Sequence, residues 1–243
     1  MLEVNFNVDR QPARNILCLG AHCDDIEIGC GGTLLQLLGG SRDAVVYWVV
    51  FSSNEERAEE ARRSADAFLS EAKAKTVIIN DFKNSFFPFV GDSIKQYFEQ
   101  LKGQFSPDLI FTHYRNDLHQ DHRVISDLTW NTFRNHFILE YEVPKYDGDL
   151  GSPNLFVHLS ESTCQNKVRY VLENFQSQKE KHWFEQETFL SIMRLRGIEA
   201  ASPSKYAEAY YCRKIILNCA TGRDLTGNPG VTRSKVELGE SKT

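Results

Sequence analysis

The chain has 243 residues, with 28 Lys+Arg against 33 Asp+Glu and a net charge of −5 with histidine neutral. Apolar residues at 41% and aromatics at 12% can build a sizeable core, which excludes wholesale disorder. The acidic balance argues against nucleic-acid backbone binding as the main activity, and no run reaches the length of a membrane-spanning helix.

In chain order, residues 15–20 (Asn-Ile-Leu-Cys-Leu-Gly) predict a short buried strand. Gly29 to Leu38 has helical spacing and stops at Gly39-Gly40. Residues 44–51 are almost continuously apolar, as expected of a strand covered on both faces. Ser53 or Asn54 can cap a helix over 54–72, and Thr76 to Ile79 is the next strand. Residues 81–92 form an aromatic loop, broken by Pro88 and Gly91. A helix over 93–104, a strand over 108–112 and a helix over 122–137 follow. Strands near 138–143, 154–159 and 209–217 and helices near 163–176 and 182–196 complete the pattern, with a loop over 144–153. The alternation predicts a mainly parallel sheet with helices on both faces, a three-layer Rossmann-like α/β fold. One domain over 1–218 is expected, with a polar tail over 219–243.

The six cysteines (Cys18, Cys23, Cys30, Cys164, Cys212 and Cys219) form no C-x-x-C pair, which suits free thiols in a reducing cytoplasm. Residues 1–15 carry charge but no apolar segment, so no secretory signal is expected.

In open parallel sheets, ligands bind where the chain leaves the carboxyl ends of strands. Two polar clusters fall there. Residues 21–27 read Ala-His-Cys-Asp-Asp-Ile-Glu, and residues 113–122 read His-Tyr-Arg-Asn-Asp-Leu-His-Gln-Asp-His. Four of the seven histidines and four aspartates lie in these two stretches. Neutral imidazole and carboxylate suit a borderline cation such as Zn²⁺, and three protein ligands leave room for water. A spare carboxylate beside such a metal can take the water's proton, and a spare histidine can stabilise an oxyanion. One histidine after a strand is more often a simple hydrogen-bonding residue, and paired aspartates often only cap a helix. Two such clusters on one sheet are harder to obtain by accident.

At these residues the chain resembles the PIG-L/LmbE-like family of metal-dependent N-deacetylases. The family motif Ala-His-Pro-Asp-Asp-Glu corresponds to residues 21–27, with Cys23 in the proline place and Ile26 inserted before Glu27. The later His-x-Asp-His corresponds to His119-Gln120-Asp121-His122. Weaker likenesses are Arg57-Ala-Glu-Glu-Ala61, Pro107 to Phe111, Ser177-Gln178, Arg196-Gly197 and Tyr206-Ala-Glu-Ala209. The resemblance implies an LmbE-like fold and a zinc site of His22, Asp25 and His122. It implies Asp24 as general base, His119 as stabiliser of the tetrahedral intermediate, and Asp121 as the residue orienting His119. Arg57 would contact substrate or the product carboxyl. The substrate would be an N-acetylated amino sugar or glycoconjugate, and the products an amine and acetate. Another divalent metal such as Fe²⁺ would suit the same donors. The oligomeric state is left open, a homo-oligomer included.

Two other readings are kept. A non-haem Fe(II) oxygenase would use His119, Asp121 and a distant His158, although such enzymes are usually β-barrels. A non-catalytic carbohydrate-binding protein would not need Asp24. Among further candidates, His113 and Asp117 flank the second motif as substrate contacts, and Glu208 is a site or core residue. The 81–92 loop and the 144–153 loop are expected to form the rim.

Overall fold

The computed structural model describes residues 15–40 and 43–216. The tail expected over 219–243 lies outside them, as do Cys219 and residues 1–14. Seven strands form one sheet in the order β3-β2-β1-β4-β5-β7-β6. The strands are β1 (Asn15–Gly20), β2 (Val45–Val50), β3 (Ala74–Ile79), β4 (Leu109–His113), β5 (Phe137–Tyr141), β6 (Leu155–Leu159) and β7 (Tyr206–Tyr211). The first five are mutually parallel, while β7 runs antiparallel to both β5 and β6. The chain moves outward from β1 to β3, then returns to the other side of β1 at β4. The strand order therefore reverses between β1 and β4, the place where open α/β sheets bind ligands.

Alternation along β1 builds two cores. Ile16 and Cys18 pack on one face with Trp48, Phe68 and Phe111. Leu17 and Leu19 pack on the other with Phe51, Phe98 and Ile110. Helices α1 (Asp25–Gly40), α2 (Glu55–Phe68), α5 (Glu161–Asn174) and α6 (Gln186–Glu199) share the first face, and α3 (Gly91–Gln104) and α4 (Gln120–Thr132) cover the second. This is the split that right-handed crossovers on either side of β1 require.

Several boundaries differ from the sequence reading. Helix α1 starts at Asp25, four residues early, because its first turn is polar and its glycines hide the helical pattern. Helix α4 ends at Thr132, since Phe133 closes it by donating its N–H to Thr129 O and the chain then turns into β5. Strand β7 ends at Tyr211, before the exposed Ile215 and Ile216.

The glycines of α1 allow close approach. A Cβ on Gly29 would lie 2.1 Å from Tyr141 Cδ2, and one on Gly32 would meet Leu159 and Glu208. Glu208 reaches across from β7 and accepts hydrogen bonds from Gly32 N at 2.8 Å and Thr33 N at 2.7 Å. Lys167 of α5 donates to Ile28 O and to Glu208 Oε1, both at 2.6 Å. In an uninterrupted helix Ile28 O would accept from Gly32 N. The ion pair therefore sits at that rung and ties α1 to α5 and β7. Glu208 is thus a core residue, with Tyr210 OH as a further donor at 2.9 Å. On the opposite side of α1, Glu60 of α2 accepts from Ser177 N and Oγ, which accounts for the Ser177-Gln178 element as an anchor for α2.

Candidate active site

Residues 21–24 leave the end of β1, and Asp25 opens α1. Asp25 Oδ2 accepts from His22 N at 2.6 Å, which folds the loop back and brings the His22 ring over the sheet edge. Residues 114–119 leave β4 next door, and His119 caps α4. His122 then projects from the first turn of α4 towards the same point.

Three donor groups converge there. His22 Nδ1 lies 3.2 Å from His122 Nε2 and 3.3 Å from Asp25 Oδ2. His122 Nε2 lies 3.5 Å from Asp25 Oδ1. A tetrahedral zinc with bonds of roughly 2.0–2.1 Å has ligand-to-ligand edges of about 3.3 Å. The His22–His122 spacing is close to that edge, and Asp25 presents a different oxygen to each histidine.

Each histidine is held from behind by a carboxylate. His122 Nδ1 is 2.9 Å from Asp117 Oδ2, and His22 Nε2 is 3.4 Å from Asp121 Oδ2. A carboxylate on the far nitrogen fixes the ring and leaves the near nitrogen's lone pair for a metal.

Two overlapping groups have donor atoms within 4.8 Å of one another, His22 with His119 and His122, and Asp25 with His113 and His122. His113 Nε2 already accepts from Ala21 N at 2.9 Å, so its lone pair is in use. His119 Nδ1 accepts from Asp121 N at 3.3 Å. His22, Asp25 and His122 are left as the candidate ligands, with Asp25 Oδ2 also engaged by His22 N.

The electrostatics agree. Burial disfavours the Asp25 anion, but His122, His113 and His22 around it hold its carboxyl well below the usual carboxylate range. Burial, reinforced by His113, holds His122 down to about 3, so it is a neutral imidazole at neutral pH. Burial would also lower His22, yet Asp25, Asp121 and Asp24 outweigh it and raise that group to about 9. Without a metal, a proton on His22 supplies the positive charge that these carboxylates draw in.

Asp24 Oδ1 forms an ion pair with Arg57 Nη2 at 2.7 Å. Arg57 therefore fixes Asp24. Asp24 Oδ2 has no hydrogen-bond partner among the described residues. Asp121 departs from expectation. Its carboxylate accepts from Ser85 N at 2.6 Å and Phe87 N at 3.2 Å and faces His22. Its contact with His119 is through its backbone N–H alone. Asp121 thus pins the 81–92 loop and backs His22, because the helix turn directs its side chain towards that loop.

His113 and Asp117 are buried supports rather than surface contacts. Lys145 was not singled out by sequence reading, and it bonds Asp117 Oδ2 at 2.9 Å. A carboxylate five residues before His122 is a signal that could have marked Asp117. Glu27 is fully buried and bonds neither ligand histidine. The oxygenase triad is not assembled. His158 is on β6, three strands beyond β4 and so on the order of 14 Å away. In the rim loop Phe82 and Phe87 pack inward, and Phe86 and Phe89 are exposed.

The model of the PIG-L, GlcNAc-PI de-N-acetylase, family matches residues 17–133, a span that contains both motifs. The match covers 117 of the 243 residues, so the chain is similar to this family over just under half of its length. The uncharacterized deacetylase YaiS of Escherichia coli K12 is 29% identical over 138 residues, covering 54% of this chain and 75% of YaiS. The N,N'-diacetylchitobiose deacetylase from Pyrococcus horikoshii superposes with a TM-score of 0.63 at 18% identity, covering 85% of this chain and 86% of that one. The 4-carboxy-2-hydroxymuconate hydratase GalB from Pseudomonas putida KT2440 gives a TM-score of 0.60 at 17% identity, covering 85% of this chain and all of GalB. Solved proteins that share this fold thus carry more than one chemistry, and function has to be argued from the site. Among the described residues no helix is long and apolar enough to cross a membrane.

Proposed function

We propose that the protein is a zinc-dependent N-deacetylase that hydrolyses the N-acetyl group of an amino-sugar-containing substrate. One observation carries this reading, namely His22, Asp25 and His122 converging at zinc-like spacing with Asp24 beside them. His22, Asp25 and His122 would hold the metal. A cation bound there supplies Lewis acidity towards an amide carbonyl and makes water more acidic.

The chain's own residues do the rest. Asp24, steadied by Arg57, accepts a proton from the attacking water on its free oxygen and returns it to the departing amine. His119 stabilises the oxyanion. Its Nδ1 accepts from Asp121 N, so its proton sits on Nε2 as a donor. Burial lowers its pKa, which keeps it neutral. It therefore acts as a neutral hydrogen-bond donor, and Asp24 moves the proton. Asp121 acts at one remove, by holding His22 and the rim loop. Cytoplasmic location is part of the proposal, from the buried free thiols Cys18, Cys23, Cys30 and Cys164.

The test is an amine-release screen over N-acetylated sugars and sugar nucleotides, with metal content measured on the same sample. Stoichiometric metal and release of free amine are expected. Metal-loaded protein that releases no amine, but consumes O₂ with iron or hydrates an unsaturated acid, would overturn the reading.

A further inference from the structure

We propose that Lys145, on the loop after β5, is a positioning residue that holds the metal-binding segment in register. The inference rests on the metal site proposed above. Asp117 Oδ2 sits between two partners at equal distance, His122 Nδ1 and Lys145 Nζ, both at 2.9 Å. Asp117 Oδ1 accepts from His119 N at 2.7 Å. One carboxylate therefore holds the His122 ring and the His119 backbone, and Lys145 is the cation on it.

The lysine also bridges to a second carboxylate. Lys145 Nζ lies 2.5 Å from Asp149 Oδ2, and that oxygen accepts from Leu118 N at 2.7 Å. The segment 117–119 is thus gripped through two carboxylates, with a single ammonium between them. Its side chain is almost entirely buried, as are those of Asp117 and Asp149.

Two buried carboxylates this close repel unless a cation stands between them. Removing the ammonium frees Asp117 to rotate away from His122 Nδ1, and the imidazole then loses the partner that aims Nε2 at Asp25. The partners behind a ligand histidine usually matter by about 10- to 100-fold in metal affinity. The 144–153 loop, which the sequence marks only as rim, thereby reaches the metal site through one side chain.

The experiment compares Lys145→Gln and Lys145→Arg with wild type. Zinc affinity is measured by competition with a chelator, the Co²⁺ absorption spectrum is recorded, and the metal-free protein is melted. Zinc binding about 10- to 100-fold weaker in K145Q, with an altered Co²⁺ spectrum, is expected. K145R, which keeps a cation at the same place, should recover most of the affinity, and both variants should still fold without metal, K145Q at a lower melting temperature because it leaves two buried carboxylates unpaired. K145Q binding zinc as tightly as wild type would overturn the inference, as would equal weakening in both variants. So would a metal-free K145Q that no longer folds, because Lys145 would then be a residue of the fold. Wild type that binds no zinc is a separate outcome, and it overturns the metal site itself.

Discussion

The molecule buries charge in two places, and they differ in how completely the charge is satisfied. On the flank, Lys167 and Glu208 are 2% and 4% exposed, and their head groups meet Ile28 O, Gly32 N, Thr33 N, Tyr210 OH and each other. At the carboxyl ends of β1 and β4, Asp24, Asp25, Asp117 and Asp121 crowd around imidazoles; among the described residues His22 Nε2 has only the ion contact with Asp121 at 3.4 Å, and His113 Nδ1 makes no hydrogen bond. A fully satisfied buried network rigidifies, while an incomplete one stays costly until a ligand completes it. The flank therefore reads as a brace and the strand ends as a receptor. Substitutions should separate the two, with one set changing activity and the other changing stability.

The largest effect is expected from Asp24→Asn. Losing a general base costs about 10²- to 10⁴-fold in rate. Amide hydrolysis should fall by that factor while zinc content, measured on the same sample, stays at wild-type level. His122→Ala should instead abolish zinc retention. If D24N lost metal along with activity, Asp24 would belong with the ligands and the division of roles at the site would fail.

Next in size is the brace. Lys167→Met strands the Glu208 carboxylate in the core, and removing one partner of a buried pair costs on the order of 3–5 kcal/mol. A large fall in thermal stability is expected, with turnover per folded molecule close to wild type. K167M that melted normally but turned over slowly would erase the contrast between the two regions.

The third effect follows from pH. His22 rises from 6.5 in the unfolded chain to about 9 when folded. Such a group contributes stability that is present in full below pH 6.5 and lost as pH rises through 9, on the order of 3 kcal/mol. His122 works the other way. With its folded value lowered to about 3, it favours unfolding as pH falls below 6.5. Chelator-treated protein should therefore be most stable near pH 6.5, and melts across pH 5–9 will show it. Zinc uptake at pH 7 should release a proton as His22 becomes a ligand, so zinc affinity rises with pH. A flat stability profile from pH 6.5 to 9 in the metal-free protein would mean that His22 carries no proton there.

Much of this was legible in the sequence, for definite reasons. The run of residues 15–20 has no polar side chain after Asn15, so its strand was found at the observed limits. His22, Asp25, His119 and His122 follow strands directly, and strand ends are where a parallel sheet exposes side chains to ligands. What escaped depends on approach in space. That His113 Nε2 would bond Ala21 N follows from the β1–β4 register, in which Cys18 lies against Phe111. Lys145 sits 23 residues beyond His122 in a loop without periodicity, and only the folded loop brings it to Asp117. Asp121 is expected beside His119 because the motif shows its neighbour in sequence, while the helix turn also brings its carboxylate to His22.

The smallest effect is expected at Cys23, and it shows how local the contrast is. Cys23 lies between two site residues in sequence, His22 and Asp24, yet it belongs with the satisfied groups. It is buried, and its Sγ donates to Ser52 O at 3.5 Å. Burial, with the nearby carboxylates of Asp24, Glu27 and Asp25, outweighs Arg57 and pushes the thiol up to about 12, so no thiolate forms at neutral pH. A nucleophilic cysteine needs the opposite environment, a base or cation that lowers its pKa. Cys23→Ser keeps a donor for Ser52 O, so it should cost about 1 kcal/mol of stability or less. Turnover should change little, and zinc content not at all. A collapse of activity in C23S with metal retained would place the sulfur in the reaction, and the proton-transfer role given to Asp24 would have to be shared with it.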